Sequence, residues 1–141
     1  MSLGDIMDIA TSGLEAQRMR ITLTASNLAN AETTRTAAGG PYRRLDPVFR
    51  SEALGGPFAN HLQREIRAVR VDRILEDDRD FITRIEPGHP DADENGLVRY
   101  PRVNVVEEMT NLMSASRSFD ANLMVFNKVR AMSEAIMRVG A

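Results

Sequence analysis

Residues Asp91, Asp93, Asn95 and Gly96 have the spacing of a calcium-binding loop. They match the opening D-x-D-x-N-G of an EF-hand, in which carboxylate and amide oxygens bind the ion and glycine allows a sharp turn. The match fails at the twelfth position, where the loop needs a bidentate glutamate and this chain has Arg102. Prolines on both sides also exclude the flanking helices. We therefore interpret the segment as a connecting loop and predict no metal site.

Glu86 and His89, beside this loop, could serve acid–base chemistry, because carboxylate and imidazole are its usual groups. No nucleophile or pocket signature accompanies them, and the second histidine, His61, falls in a segment without a pattern. No third ligand at helical spacing completes a tetrahedral metal site. The sequence therefore predicts a protein that is not an enzyme and has no cofactor. A small hydrolase built on residues 86–93 is the alternative, and it would show pH-dependent activity.

A basic strip, in which Arg64, Arg67, Arg70 and Arg73 recur every three residues, has a spacing that could follow phosphates. On a strand its members would divide between two faces. The whole chain has 18 basic and 20 acidic side chains, for a formal net charge of −2. Because this balance creates no strong positive field, we predict pairing with acidic neighbours or adjacent subunits and no nucleic-acid partner.

The composition predicts one domain, because 141 residues of which 43% are hydrophobic can bury a core. With no cysteine, a disulfide framework and a thiolate metal site are impossible, which fits both the cytoplasm and an exported protein. The start, MSLGDIMDIA, has Asp5 and Asp8 where a secretory leader has basic residues. No apolar run approaches the length of a membrane span. We expect a soluble chain without a cleavable leader.

Two heptad rows predict a long first helix from about residue 3 to residue 31. The rows lie on different sides of that helix, so one partner helix would not cover both, and two or more neighbours are implied. The first row comprises Met7, Leu14, Ile21 and Leu28, with Leu3, Ala10, Gln17 and Thr24 four residues before each of them in the same seam. The second row comprises Ile9, Ala16 and Leu23.

A second long helix is predicted after Asn104, which has the residue type of an N-cap. An uninterrupted pattern of about 35 residues corresponds to about 50 Å. A compact globule of this chain length has a diameter of roughly 35 to 40 Å, so this helix must project. Its apolar seam then needs cover from helix 1 and from neighbouring molecules. The seam comprises Val105, Met109, Leu112, Ser116, Phe119, Leu123, Phe126, Val129, Met132, Ile136 and Val139.

Methionines within this second pattern could line a cofactor pocket. Packing at a core or interface is the favoured interpretation, because an unbranched thioether adapts to irregular gaps between non-identical neighbours. We therefore predict no small-molecule substrate.

The middle of the chain, residues 34–103, separates an N-terminal axial helix at 1–33 from a C-terminal axial helix at 104–141. Glycines and prolines between residues 39 and 47 exclude regular helix there. Alternating apolar residues over 64–85 predict a β-hairpin with its turn at Glu76 to Arg79, followed by a long loop to Gly96. The predicted fold class is mainly α with a small β region: two long terminal helices form a coiled-coil hairpin, with a β-hairpin and irregular loops inserted between them.

The segment ASNLANAE at 25–32 resembles the N-terminal signature of bacterial flagellar rod, hook and hook-associated axial proteins, with Asn27, Leu28 and Asn30 matching position by position. NVVEEMTNLMSASRSFDANLMVFN resembles the C-terminal helix of the same family. The segment EPGHPDADENGLVRYPRVN is similar to the loop of the proximal rod proteins of the C type. The resemblance covers nearly the whole chain, and its weakest part is 41–79.

This resemblance implies a structural subunit of the flagellar basal-body rod, the periplasmic drive shaft that transmits torque from motor to hook. Its partners would be copies of itself, proximal and distal rod subunits, the MS-ring/rod junction protein and the flagellar type III export apparatus, which exports such chains without a cleavable signal peptide. A cytoplasmic coiled-coil adaptor is the alternative. The predicted assembly interface comprises Met7, Leu14, Ile21, Asn27, Leu28, Asn30, Val105, Met109, Leu112, Phe119, Leu123, Phe126, Met132 and Ile136.

Overall fold

The computed structural model describes residues 3–54 and 66–139, so His61 and Arg64 lie outside the described residues. One long helix precedes four strands in the sequence, and a second long helix follows them. This order confirms the predicted fold class of a mainly helical chain with a small β region. In chain order the elements are α1 (Leu3–Ala29), β1 (Leu45–Ala53), β2 (Arg67–Glu76), β3 (Ile82–Ile85), β4 (Leu97–Tyr100) and α2 (Val105–Val139).

The two helices pack side by side and run in opposite directions. Near one end, Asn27 Nδ2 lies 3.2 Å from Glu108 Oε2. Further along, α1 approaches α2 so closely that a Cβ atom on Gly13 would lie 2.7 Å from Asn122 Nδ2. From Asn27 back to Gly13 and from Glu108 on to Asn122 the chain advances by the same number of residues, as an antiparallel helical hairpin requires.

The helix boundaries agree closely with the heptad analysis. α1 ends at Ala29, two residues before the predicted boundary, and α2 begins at Val105 as predicted. Asn104 caps α2, because its Oδ1 accepts a hydrogen bond from the backbone N–H of Val106 at 3.1 Å. In the described part of the chain, neither helix has a stretch long and apolar enough to cross a bilayer.

The predicted β-hairpin over 64–85 was wrong in its pairing. β1 pairs antiparallel with β2, and β3 pairs antiparallel with β4, so the turn after Glu76 joins two separate two-stranded sheets. The prediction missed β1 because Pro47 suggested an irregular segment. Every strand of a two-stranded sheet is an edge strand, and proline is tolerated in edge strands. A register shift between Val48 and Phe49 also bends β1 close to Pro47.

The β1–β2 ribbon packs on α1 beside its second heptad row. Ser12 Oγ donates to the Ile9 carbonyl at 2.8 Å and accepts from the Val69 N–H at 3.2 Å, which ties β2 to the helix. Ala16 and Leu23, in the second row, are buried. The additional neighbour that the two rows implied is therefore supplied by the same chain.

The loop between β3 and β4 has the predicted position and turn chemistry. Asp93 Oδ1 accepts hydrogen bonds from the backbone N–H of Asn95 at 2.8 Å and of Leu97 at 2.9 Å, as in an Asx-turn. Gly96 has φ +71°, and a Cβ there would lie 3.0 Å from Pro87 Cγ. Glycine is therefore required by both backbone conformation and close packing.

The segment after β2 is held by backbone contacts and one ion pair. The Asp77 N–H donates to the Arg44 carbonyl at 2.8 Å, and Arg79 Nε lies 2.8 Å from Asp77 Oδ1. The hydrogen bond from the Arg79 side chain is the main reason that the pKa of Asp77 is lowered to about 2, although burial opposes this. These contacts direct the chain away from β2 and explain why β2 and β3 do not pair.

Replacing Gly13 by Val should destabilise the helical hairpin. The new side chain must displace the flexible amide end of Asn122, so we expect a cost at the low end of the overpacking range, about 1 kcal/mol. We expect a lower Tm in thermal unfolding followed by circular dichroism, with partial recovery in the Gly13→Val/Asn122→Ala double variant. Gly88→Ala is the matched control, because a Cβ at Gly88 meets no atom within 4 Å. An unchanged Tm for Gly13→Val would contradict the close helix approach.

Replacing Arg79 by Met should raise the pKa of Asp77 from about 2 toward its ordinary 3.8. Because the folded-state pKa is depressed, the ion pair stabilises the fold above about pH 3.8, and this contribution is lost as the pH falls through 2. NMR titration of the Asp77 carboxyl carbon measures the change. Arg84→Met is the control, because Arg84 stacks on Tyr100. A midpoint that stays near 2 in Arg79→Met would disprove this cause.

Candidate assembly surface

Asn27 lies in the interior of the chain, with 1% of its surface exposed. Its Nδ2 donates to the Leu45 carbonyl at 2.8 Å and to Glu108 Oε2 at 3.2 Å. Its Oδ1 accepts from the Leu45 N–H at 2.8 Å and from the Tyr42 hydroxyl at 3.0 Å. Both donors and both lone pairs of the amide are therefore used. The structure places this predicted interface residue where α1, the start of β1 and α2 meet.

Glu108 completes this contact from the α2 side, and its side chain is also 1% exposed. Its Oε1 accepts from Arg44 Nε at 2.7 Å, and Arg44 also pairs with Asp46 at 3.1 Å. Burial by itself would lower the pKa of Arg44. The hydrogen bonds to Glu108 and Asp46 outweigh this effect, so the pKa of Arg44 is raised. We call Asn27, Tyr42, Arg44, Leu45 and Glu108 the interhelix lock.

The row of α2 that faces α1 differs from the predicted seam. Glu108, Ala115, Asn122 and Val129 recur every seven residues; three of them are buried, and Asn122 meets Gly13. The sequence analysis followed the largest apolar side chains, whereas the closest helix approach uses small and polar ones. Of these four residues, the predicted seam contains only Val129. Sequence reasoning missed the other three, and their heptad spacing was the only signal.

The predicted interface residues divide into three groups by exposure. Asn27 is buried in the lock. Asn30 is half-buried, and its Nδ2 donates to the Ser26 carbonyl at 2.9 Å. The other half-buried members are Met7, Leu14, Ile21, Leu28, Leu112, Phe119 and Phe126. The exposed members are Val105, Met109, Leu123, Met132 and Ile136.

Uncovered apolar surface is concentrated on α2. Among the described residues, ten exposed large hydrophobic side chains lie on α2 and none lies on α1. The remaining exposed ones lie in or beside the strands. Five further exposed side chains on α2 lie outside the predicted seam. Three of them, Met113, Met124 and Met137, are among the methionines for which packing at a core or interface was the favoured interpretation, and the other two, Val106 and Val125, were missed. An exposed apolar surface of this kind marks a site of contact with another protein, a membrane or a ligand.

The polar groups of the loop between β3 and β4 hold the loop itself in place. Asp91 Oδ2 accepts from the Thr34 hydroxyl at 2.7 Å. Glu86 Oε2 accepts from the Tyr100 hydroxyl at 2.8 Å, and this hydrogen bond raises the pKa of Tyr100. His89 Nδ1 accepts from the Asp91 N–H at 3.1 Å. Across 3–54 and 66–139, no group of three His, Asp or Glu side chains is placed to hold a metal ion.

The arginines of the basic strip that the structure describes make local contacts. Arg70 Nε lies 3.1 Å from Glu52 Oε2, and Arg73 Nη1 lies 3.2 Å from Asp72 Oδ2. Arg67 Nε donates to Ser51 Oγ at 2.8 Å. The predicted pairing with acidic neighbours is thus confirmed for Arg70 and Arg73.

Comparison with known proteins identifies the family to which this chain belongs. Residues 7–35 match the family described as flagella basal body rod protein, and residues 94–139 match the family described as flagellar basal body rod FlgEFG protein C-terminal. The chain is 41% identical over 140 residues to the flagellar basal-body rod protein FlgC of Salmonella typhimurium, covering 99% of both chains. The chain belongs to the FlgC family of flagellar basal-body rod proteins.

Two other FlgC relatives are similar over most or nearly all of their length. The FlgC of Borreliella burgdorferi is 38% identical over 149 residues, covering 99% of this chain and 98% of the relative. The FlgC of Agrobacterium fabrum is 41% identical over 123 residues, covering 86% and 84%. The family resemblance inferred from the sequence is confirmed. The chain is a structural subunit of the rod and belongs to the flagellar basal body.

Replacing Asn27 by Ala should destabilise this FlgC-family chain by roughly 2–4 kcal/mol, because it leaves buried groups of the lock unpaired. Urea unfolding measures the loss. Asn30→Ala is the matched control in the same segment, ASNLANAE. We expect it to lower the free energy of unfolding by about 1 kcal/mol, because the contacts of Asn30 are only part-buried. Equal losses for the two variants would contradict the central position of Asn27.

Proposed function

We propose that this chain is a non-catalytic rod subunit that assembles through the apolar surface that α2 leaves uncovered. The observation that carries the proposal is the exposure of large apolar side chains along the whole helix, from Val106 at 73% to Ile136 at 60% and Met137 at 73%. Full burial of one such side chain contributes about 1.5–3 kcal/mol. Ten of them, even partly covered, supply ample free energy for several subunit contacts.

The roles of the three regions follow from this surface. Residues 1–33 and 104–141 would form the core of a tubular helical polymer, and residues 34–103 would contact lateral neighbours. The predicted interface residues other than Asn27 would take part directly. Asn27 would act indirectly, because the lock holds α1 and α2 as one stiff unit.

Torque transmission sets a mechanical requirement that the hairpin of α1 and α2 would meet. A single subunit pair would shear, so the shaft needs many simultaneous contacts. A contact between two different surfaces generates a filament when it does not close into a ring. A two-helix unit with an uncovered flank on α2 provides such contacts. In the proposal, the polymer is the periplasmic drive shaft from motor to hook.

A rod subunit of this kind would have specific partners. These are copies of the chain, proximal and distal rod subunits and the MS-ring/rod junction protein, with delivery by the flagellar type III export apparatus. Membership of the FlgC family supports this set. The adaptor alternative predicts a different location: an adaptor would remain in the cytoplasmic fraction, whereas a rod subunit copurifies with basal bodies.

Replacing Met132 and Ile136 by Asp should abolish motility and remove the chain from purified basal bodies, because buried carboxylates would oppose subunit contacts. Both side chains are exposed in the subunit, so its Tm should be unchanged. Asn127→Asp is the control at an exposed polar position of the same helix. Swimming assays and immunoblots of basal bodies give the readout.

One outcome of this experiment is decisive, and a second pair of variants separates folding from assembly. Full motility of the Met132→Asp/Ile136→Asp variant would refute the role of the α2 surface. Leu14→Asp and Phe119→Asp replace half-buried side chains. We therefore expect these two substitutions to lower both Tm and motility, which separates loss of folding from loss of assembly.

A further inference from the structure

Five of the eight methionines in the chain lie on α2, and all five are exposed. Their exposed fractions range from 51% to 73%. The two methionines of α1, Met7 and Met19, are half-buried. Uncovered thioethers of the described chain are therefore concentrated on the helix that carries the assembly surface. We use the name α2 methionines for Met109, Met113, Met124, Met132 and Met137.

None of the α2 methionines belongs to the row that faces α1. At 3.6 residues per turn, successive residues are rotated by about 100°, so Met109, Met113 and Met124 fall within about 60° of one another. The row from Glu108 to Val129 lies on the other side of the helix, on average about 160° away. A chemical change at the exposed sulfurs therefore leaves the contact between the two helices intact.

An exposed methionine thioether reacts with hydrogen peroxide to give methionine sulfoxide. A lone pair on the sulfur attacks one peroxide oxygen, and the S–O bond forms as the O–O bond breaks. The proton of the transferred hydroxyl passes to the leaving oxygen, which departs as water. The sulfur is thus oxidised and the peroxide is reduced. Methionine sulfoxide reductases restore the thioether, so the modification is reversible.

We propose that the α2 methionines of the free subunit are a site of reversible oxidation by hydrogen peroxide, and that the sulfoxide form does not join the rod. Burying a thioether against a neighbouring subunit removes apolar surface from water and is favourable. A sulfoxide oxygen instead loses its hydrogen bonds to water on burial, which is unfavourable unless the neighbour supplies a donor. The inference rests on the proposed rod function and adds a modification that regulates it.

Access of peroxide to the α2 methionines differs between the free and the assembled subunit. In the free subunit, Arg117 and Asp120 lie between Met113 and Met124 on the helix, and both are exposed, so water reaches this side of α2. In the proposed rod, neighbouring subunits cover the same sulfurs. Oxidation therefore acts on subunits that have not yet joined the rod.

Timed oxidation of the purified full-length chain tests the site itself. Hydrogen peroxide is added, and peptide mass spectrometry follows the gain of one oxygen at each methionine. We expect the α2 methionines to react several-fold faster than Met7 and Met19, with no change in the helix content measured by circular dichroism. In concentrated urea the rates should become equal, because the difference in exposure is lost. Equal rates in the folded chain would overturn the proposal.

Two matched variants test the consequence for assembly. The first, Met109→Leu/Met113→Leu/Met124→Leu/Met132→Leu/Met137→Leu, keeps the apolar surface but has no sulfur to oxidise. The second, Met109→Gln/Met113→Gln/Met124→Gln/Met132→Gln/Met137→Gln, places polar side chains of similar size at the same positions, as the sulfoxide does. Because all five positions are exposed, both variants should keep the Tm of the unmodified chain. We expect the first variant at its normal level in basal bodies and the second at a level several-fold lower.

Peroxide treatment of cells during rod assembly combines the two measurements. In basal bodies formed during treatment, we expect the amount of the unmodified chain to fall several-fold and that of the first variant to stay at its untreated level. An equal fall for both would overturn the proposal, because oxidation of another component would then limit assembly. Normal incorporation of the second variant would overturn it as well.

These outcomes are distinct from a failure of the proposed function. Absence of the unmodified chain from the basal bodies of untreated cells would refute the rod function, whatever the rates of oxidation. If the five leucine substitutions lower the amount of chain in untreated cells, Met109→Leu/Met113→Leu/Met124→Leu tests the same protection at the three sulfurs that share one face. Under peroxide its incorporation should fall less than that of the unmodified chain, and an equal fall would contradict the proposal.

Discussion

The amide of Asn27 joins three parts of the chain that are far apart in sequence. It bonds both backbone groups of Leu45 and the carboxylate of Glu108, which in turn holds Arg44. Burial makes these bonds obligatory, because an unpaired polar group in this position costs more than the bond contributes. The lock therefore fixes the register of the two helices, and the position of every other surface follows from that register.

The register leaves α1 and α2 in different environments. α1 contacts α2 along one side and the β1–β2 ribbon along another, and in the described part of the chain its large apolar side chains are at least half covered. α2 contacts α1 along a narrow row of small and polar residues, and its large apolar side chains lie beside that row. The free subunit thus leaves more of its large apolar surface uncovered on α2 than on α1.

Helix lengths, the cap at Asn104 and the turn at Gly96 were predictable because each depends on nearby residues. A heptad pattern without proline or glycine specifies a long helix, and a glycine after an Asx residue specifies a turn. Pairing of strands was not predictable in the same way. β1 was missed because Pro47 is a local signal against a strand, whereas its tolerance depends on the strand being at an edge.

The sequence by itself determined that the chain has two long helices, a small β region, more apolar surface than one subunit can cover, and the signatures of a flagellar rod protein. Only the tertiary structure decided which surfaces stay uncovered. Asn27 and the second row of α1 are covered within the chain, while Met132 and Ile136 remain exposed. The physical reason is that periodicity gives the faces of a helix, but long-range contacts such as Asn27 with Glu108 decide which face meets which neighbour.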